Sequence, residues 1–216
     1  MKKCLVALTL ATTVLLFSGC VTGQRALTLT TPPITTPPAA DKGALRIVSV
    51  TDNRVFQNNP SEPSIPSING DVNTLTAGQK DVMIGRQRNT YGKAMGDIAL
   101  AKGDSVTQRA QSLVETALKQ RGYQITNDSS APVTAAVSVD EFWAWFSPGV
   151  WAVSFEAKVT CTLTLTKANS PTTVTIKGYG LNRGQVARDG NWQKVFDIAF
   201  ADFLAKSQTE LNATQF

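Results

Sequence analysis

The chain has 216 residues, with 21 Lys and Arg against 16 Asp and Glu, a formal charge of +5, 42% hydrophobic residues and no histidine. The missing imidazole excludes the commonest general base, the usual catalytic zinc sets and every His-containing triad. The mild charge calls for no nucleic acid partner, and neither a cofactor nor a metal is expected.

Lys2 and Lys3 precede an apolar segment from Leu5 to Phe17, thirteen residues long, against the roughly 20 that a spanning helix needs. A basic start, a short apolar run and small residues before a cut describe an export signal, here residues 1–19. Leu16-Phe17-Ser18-Gly19-Cys20 resembles a bacterial lipobox, which implies cleavage before Cys20 and acylation of that cysteine. Phe17 departs from the motif's usual Leu. Two or three acyl chains make a stable membrane anchor, at about 0.8 kcal/mol per buried methylene. In lipoprotein sorting an Asp after the cysteine favours inner-membrane retention; Val21 stands there, so an outer-membrane protein facing the periplasm is expected. Loss of Lys2 and Lys3 lowers the charge from +5 to +3. With Cys4 removed and Cys20 acylated, Cys161 has no partner for an internal disulfide.

Residues 20–42 are rich in Thr, Pro and Ala, with Pro32-Pro33 and Pro37-Pro38 as paired breakers. Such a segment builds no core, and about 20 residues at roughly 3.1 Å each would form a tether reaching almost 60 Å. Residues 43–216 form one domain. Its first strand is Ala44 to Val50, closed by Asp52-Asn53-Arg54. A long loop or insertion spans 55–103, in which 82–93 supplies one further strand; connections of that length usually bind something or lack order.

Ser105 caps the first helix, with Gln108 three residues on. Val106, Ala110, Leu113, Val114, Ala117 and Leu118 make its apolar face, and Gly122 stops it. A second helix from Asn191 or Trp192 to Leu211 buries Trp192, Val195, Phe196, Ala199 and Phe203.

Between the helices, Val133 to Trp145 and Trp151 to Lys167 alternate apolar and polar residues. Matching their apolar faces across a Ser147-Pro148-Gly149 turn puts Asp140 opposite Lys158. The next hairpin, turned at Asn169-Ser170-Pro171, pairs Leu165 with Val174 and Glu156 with Arg183. The expected fold is α+β: an antiparallel sheet of about four strands with two amphipathic helices packed on one face, a two-layer sandwich.

The lipobox, the Pro/Thr segment, Asp52-x-Arg54 after the first strand, Gly122-Tyr123 after the first helix and the terminal helix together resemble the YajG-like uncharacterised bacterial lipoproteins. The resemblance implies a periplasm-facing outer-membrane lipoprotein with no established activity. The layout is also similar to small envelope-assembly lipoproteins, which bind a partner or a lipid and catalyse nothing.

Two surfaces are candidate sites. Phe142, Trp143, Trp145, Phe146 and Trp151 surround a hairpin tip that is aromatic on both faces. Trp143, Trp145 and Trp151 are expected on the core side, and Phe142 and Phe146 on the other, where they would dock a protein or lie under the 55–103 segment. Arg86, Arg88, Tyr91 and Lys93 could hold an anionic headgroup or a glycan phosphate. Cys161 reads as a buried thiol rather than a nucleophile. Asp140 and Glu141, adjacent on a strand, should face opposite ways and so make a poor catalytic pair. The reading is a non-enzymatic lipoprotein that binds a protein component of the cell envelope; the alternative is a lipid or glycan carrier with a cleft between helices and sheet.

Overall fold

The computed structural model describes residues 23–34, 40–89, 91–147, 153–184 and 189–214. The signal segment, Cys20 and Trp151 lie outside them. In chain order the elements are β1 (Arg25–Leu27), β2 (Gly43–Asp52), a 3-10 turn (Val72–Thr74), α1 (Ala77–Lys80), β3 (Met83–Arg88), β4 (Ala94–Leu100), α2 (Val106–Gln120), β5 (Tyr123–Ile125), β6 (Val133–Ser147), β7 (Val153–Lys167), β8 (Ser170–Gly184) and α3 (Asp189–Ala213).

Among the described residues, the expected four-stranded antiparallel sheet is instead a mixed sheet of eight strands, accompanied by three α-helices. The additional strands come from stretches whose composition hides them. β1 lies inside the proposed tether and pairs in parallel with β4, Arg25 with Ile98 and Leu27 with Leu100. Leu27 and Leu29 are buried beside it. The 55–103 segment contains α1 and the antiparallel β3–β4 pair. Short strands of this kind have no periodicity to read, and only the partner strand defines them.

β6 is the strand around which the sheet forks. One edge pairs with β7 along its whole length. Its other edge is shared end to end, by β2 over Val133–Val139 and by β3 at Ala144 and Trp145, both in parallel. Arg54 fills the fork, with its side chain fully buried. Nη1 donates to the Met83 and Phe142 carbonyls at 2.6 and 2.8 Å, and Nη2 donates to the Lys80 carbonyl at 2.8 Å. Asp52 neutralises it through Nε and Nη2 at 2.8 and 2.7 Å. Where the ladder splits, backbone carbonyls would be buried without partners; the guanidinium supplies the donors.

A bulge in β6 decides which aromatics enter the core. The pairing runs Val139 with Cys161 and then Glu141 with Thr160, leaving Asp140 over. An extra residue reverses the alternation of everything after it. Phe142, Ala144 and Phe146 therefore join the helix-covered core with Val133, Ala135, Val137 and Val139. Trp143 and Trp145 turn to the opposite face, the reverse of the expected arrangement. Asp140 and Glu141, expected on opposite faces, both meet outer-face threonines: Thr162 Oγ1 donates to Asp140 and Thr160 Oγ1 to Glu141, each at 2.6 Å.

Both proposed registers shift. Lys158 stands opposite Trp143, not Asp140. Glu156 stands opposite Leu181, and Arg183 opposite Ser154. In the β7–β8 hairpin the turn is Ala168-Asn169, both with positive φ (50° and 63°), one residue earlier than expected. A two-residue loop of this kind needs left-handed backbone at both positions.

α2 buries the six residues its spacing indicates, and Ser105 Oγ accepts from Gln108 N at 3.2 Å. α3 packs on β8 so closely that a Cβ on Gly178 or Gly180 would run into the Ala199 or Val195 carbonyl oxygen. Asp202 on α3 also accepts from the Tyr179 amide at 2.8 Å, which satisfies one outward N–H of that edge strand. The space between helices and sheet is filled by rings: Phe142 stacks on Phe196 at 5.3 Å and Phe155 meets Trp192 at 5.1 Å.

Candidate anion-binding cleft

The β3–β4 hairpin and the loop before it build the cleft. The hairpin closes with Asn89 N donating to Lys93 O at 2.8 Å, while Asn89 Oδ1 accepts from the amides of Tyr91 and Lys93. That tip leaves Tyr91 93% exposed, with Lys93 exposed beside it. The preceding loop is closed on itself by Gln57 N to Pro66 O at 2.9 Å and by Asn58, which bonds Asp71 and the Val72 amide.

Two arginines project from β3 into this junction. Arg86 is buried; its Nη1 donates to the Ile68 carbonyl, and its Nε lies 3.5 Å from Asp97 Oδ1. That separation is too long for a good hydrogen bond, and both Arg86 Nε and Asp97 Oδ1 are buried without one. Asp97 Oδ2 instead accepts from the Asn69 amide at 2.9 Å. Burial depresses the Arg86 pKa, and the Asp97 charge opposes that shift. Arg88 donates to the Pro60 carbonyl at 2.8 Å and contacts Ser67 Oγ at 3.5 Å. Its pKa is lowered by burial, and among the described residues no carboxylate pairs with it.

The four residues singled out in the sequence, Arg86, Arg88, Tyr91 and Lys93, thus line one cleft of about 560 Å³, joined there by Asn59 and Asn69. No carboxylate is among its lining residues. A second cleft of about 530 Å³ shares Asn69, Lys93 and Ala94 with it and extends past Asp97 to Gly23 and Gln24, at the start of the described chain. A partly buried guanidinium without a counter-ion is costly, and an anion in the cleft would relieve that cost. Asn59, Asn69 and Asp97 were not legible as site residues: they carry no motif, and only the fold brings them to the hairpin.

The aromatic candidates do not form an exposed tip. Phe142, Trp143, Trp145 and Phe146 are all buried. Phe142 and Phe146 pack in the main core. Trp143 lies under the loop, donating from Nε1 to Pro63 O at 3.2 Å and meeting Phe56 edge-on at 5.9 Å. Lys158 Nζ sits 5.7 Å from the Trp145 ring centre. The cover expected over the phenylalanines lies over a tryptophan instead. Cys161 is buried in mid-strand, and burial pushes its thiol well above the usual range.

Among the described residues no helix is long and apolar enough to cross a membrane. The described residues thus form a mixed sheet backed by two amphipathic helices, with a cationic cleft beside it. A family model described as an uncharacterised lipoprotein matches residues 86–193, half of the chain, and this protein belongs to that family, a membrane-associated lipoprotein of YajG-like type. No match is found among curated proteins.

Three solved structures are similar over most of their length. One is protein XCC0632 from Xanthomonas campestris, of family DUF330, with 10% identity, TM-score 0.45, and 88% of this chain and 95% of that one covered. Another is an uncharacterised protein with 13% identity, TM-score 0.36, and 89% and 99% coverage. The third is a neuraminyllactose-binding hemagglutinin homologue from Helicobacter pylori, with 10% identity, TM-score 0.31, and 85% and 92% coverage.

Proposed function

We propose that this lipoprotein is a non-enzymatic binding module, acylated at Cys20, held at the outer membrane facing the periplasm, and that it binds an anion-bearing component of the cell envelope. The observation that carries the reading is the unpaired charge of Arg88, set beside Arg86 and Lys93 in a cleft without a carboxylate. Arginine forks suit phosphate and carboxylate oxygens, and a site that only holds such a group needs no base or nucleophile. The carrier reading moves with it: the helix–sheet space is packed with side chains, so the cleft that serves is the one at the hairpin.

The test is a photoreactive residue at Tyr91 in intact cells, followed by identification of the crosslinked species. An anionic envelope component is expected in the parent and should be strongly reduced by Arg88→Gln or Lys93→Gln. Unchanged crosslinking in both variants would remove the reading. A protein partner is a second reading, favoured by Tyr179 and Leu181, which lie two residues apart on β8 and are 39% and 40% exposed.

A further inference from the structure

The docking of β1 changes the distance between the anchor and the cleft. If residues 20–42 were an extended tether, the domain could stand some tens of ångströms from the bilayer, and its surface charges would not feel the lipid. But Gly23 N already meets Met95 O at 3.4 Å, Arg25–Leu27 pairs with β4, and Ala101 N donates to Leu27 O at 2.8 Å. Arg109 Nη1 adds a bond to Leu29 O at 3.0 Å. The chain is therefore docked on the fold from Gly23 to Leu29. Cys20 lies three residues earlier, and three residues span at most about 11 Å. That is close to the Debye length of about 8 Å at physiological ionic strength.

The residue at this short leash is also a wall of the cleft. Gly23 and Gln24 line the same cavity as Lys93, Asn69 and Asp97, and that cavity shares Asn69, Lys93 and Ala94 with the one holding Arg86 and Arg88. An acylated Cys20 thus brings the mouth of the cationic cleft to the headgroup layer. From these distances we infer that the cleft takes the phosphodiester of an anionic lipid in the leaflet that carries the anchor, and that this contact sets the domain's orientation on the membrane. The inference rests on the proposed acylation and on the anion-binding reading above.

Three features favour a lipid phosphate over a soluble one. A tethered site meets headgroups at high effective concentration without a separate binding event. Arg88 offers a guanidinium whose hydrogen bonds, to Pro60 O and Ser67 Oγ, leave its charge unpaired among the described residues. Lys93 and Tyr91 stand exposed at the hairpin tip, where a basic side chain and an aromatic ring with a polar end both suit the headgroup region.

The experiment uses the full lipoprotein acylated at Cys20 and reconstituted into vesicles. A spin label is attached after Tyr91→Cys; Cys161 is buried and Cys20 blocked, so only the new thiol reacts. Relaxation of the label by a headgroup-anchored nickel chelate reports its distance from the lipid surface. In an equimolar mixture of phosphatidylglycerol and phosphatidylcholine the label should sit at the headgroups. The headgroup-bound population should fall about fivefold with either Arg88→Gln or Lys93→Gln, in line with the worth of one basic residue at an anionic surface. Lys93 is exposed, so its substitution tests the contact without touching the core.

Equal relaxation in neutral and anionic vesicles, unmoved by the substitutions, would overturn the inference. Glycerol phosphate added to neutral vesicles separates the two readings. A saturable, Arg88-dependent change in label mobility with glycerol phosphate, but no response to anionic lipid, would keep the anion cleft and reject the lipid. No response to either would reject both.

Discussion

Arg54 reaches across the fork of the sheet to donate to the Phe142 carbonyl at 2.8 Å, the point at which β6 passes from β2 to β3. The same guanidinium bonds Met83 O, Lys80 O and Asp52, so five hydrogen bonds converge on one buried cation. Arg54→Met should destabilise the fold by about 3–5 kcal/mol, since it leaves Asp52 uncompensated and three carbonyls without a donor. Asp52→Asn should cost less, because the Asp52 side chain is 13% exposed and water can take up part of the loss. Urea unfolding of both variants checks the order, and an Arg54→Met protein of parental stability would contradict this account of the fork.

Phe142 is the residue whose placement the bulge reverses. Its ring is fully buried against Phe196 and Phe200 at 5.3 and 5.8 Å. Phe142→Ser should cost about 3–5 kcal/mol through the cavity it opens, with the midpoint of urea unfolding falling accordingly. A Phe142 that faced solvent as part of a docking tip would tolerate the change with almost no loss.

The turn of the β7–β8 hairpin holds Ala168 at φ 50°, a conformation that costs a residue with a Cβ about 1–2 kcal/mol. Ala168→Gly removes that cost and adds some unfolded-state entropy, for a net gain of about 0.5–1 kcal/mol. The urea midpoint should rise with an unchanged slope. Asn169, at φ 63°, is already among the residues that tolerate this region.

Tyr179 donates from its phenol to Glu156 Oε2 at 2.7 Å, and its pKa is pushed up to about 12, first by burial and then by that hydrogen bond and the carboxylate charge. A raised value favours the protonated phenol in the folded chain. The contact's contribution is therefore complete below the unfolded tyrosine value of about 10 and is lost as pH rises through about 12. An absorbance titration should find one of the three tyrosines ionising near 12. Glu156→Gln should bring that midpoint down, and an ordinary midpoint for Tyr179 in the parent would rule the contact out.

The cleft was half legible in the sequence. Arg86, Arg88, Tyr91 and Lys93 lie within eight positions, and a hairpin keeps such neighbours together whatever its surroundings. What could not be read is the wall opposite them. Pro60, Ser67 and Ile68 come from a loop with no repeating pattern, 18 to 28 residues away along the chain. The position of the nearest carboxylate is likewise a property of folded space, since Asp97 lies only four residues beyond Lys93 yet lines the adjoining cleft rather than the one that holds Arg88.

Local periodicity by itself determined the buried face of α2 and, on α3, the stripe from Trp192 to Phe203 without Phe200, because a helix's hydrogen bonds and its apolar stripe are both set within a few residues. It also determined the alternation of β7. The tertiary structure alone decided three things: the docking of β1, the side of β6 taken by each aromatic, and the fork filled by Arg54. Each depends on pairing between distant strands, where one extra residue at Asp140 or one residue of turn position at Ala168 moves every partner that follows.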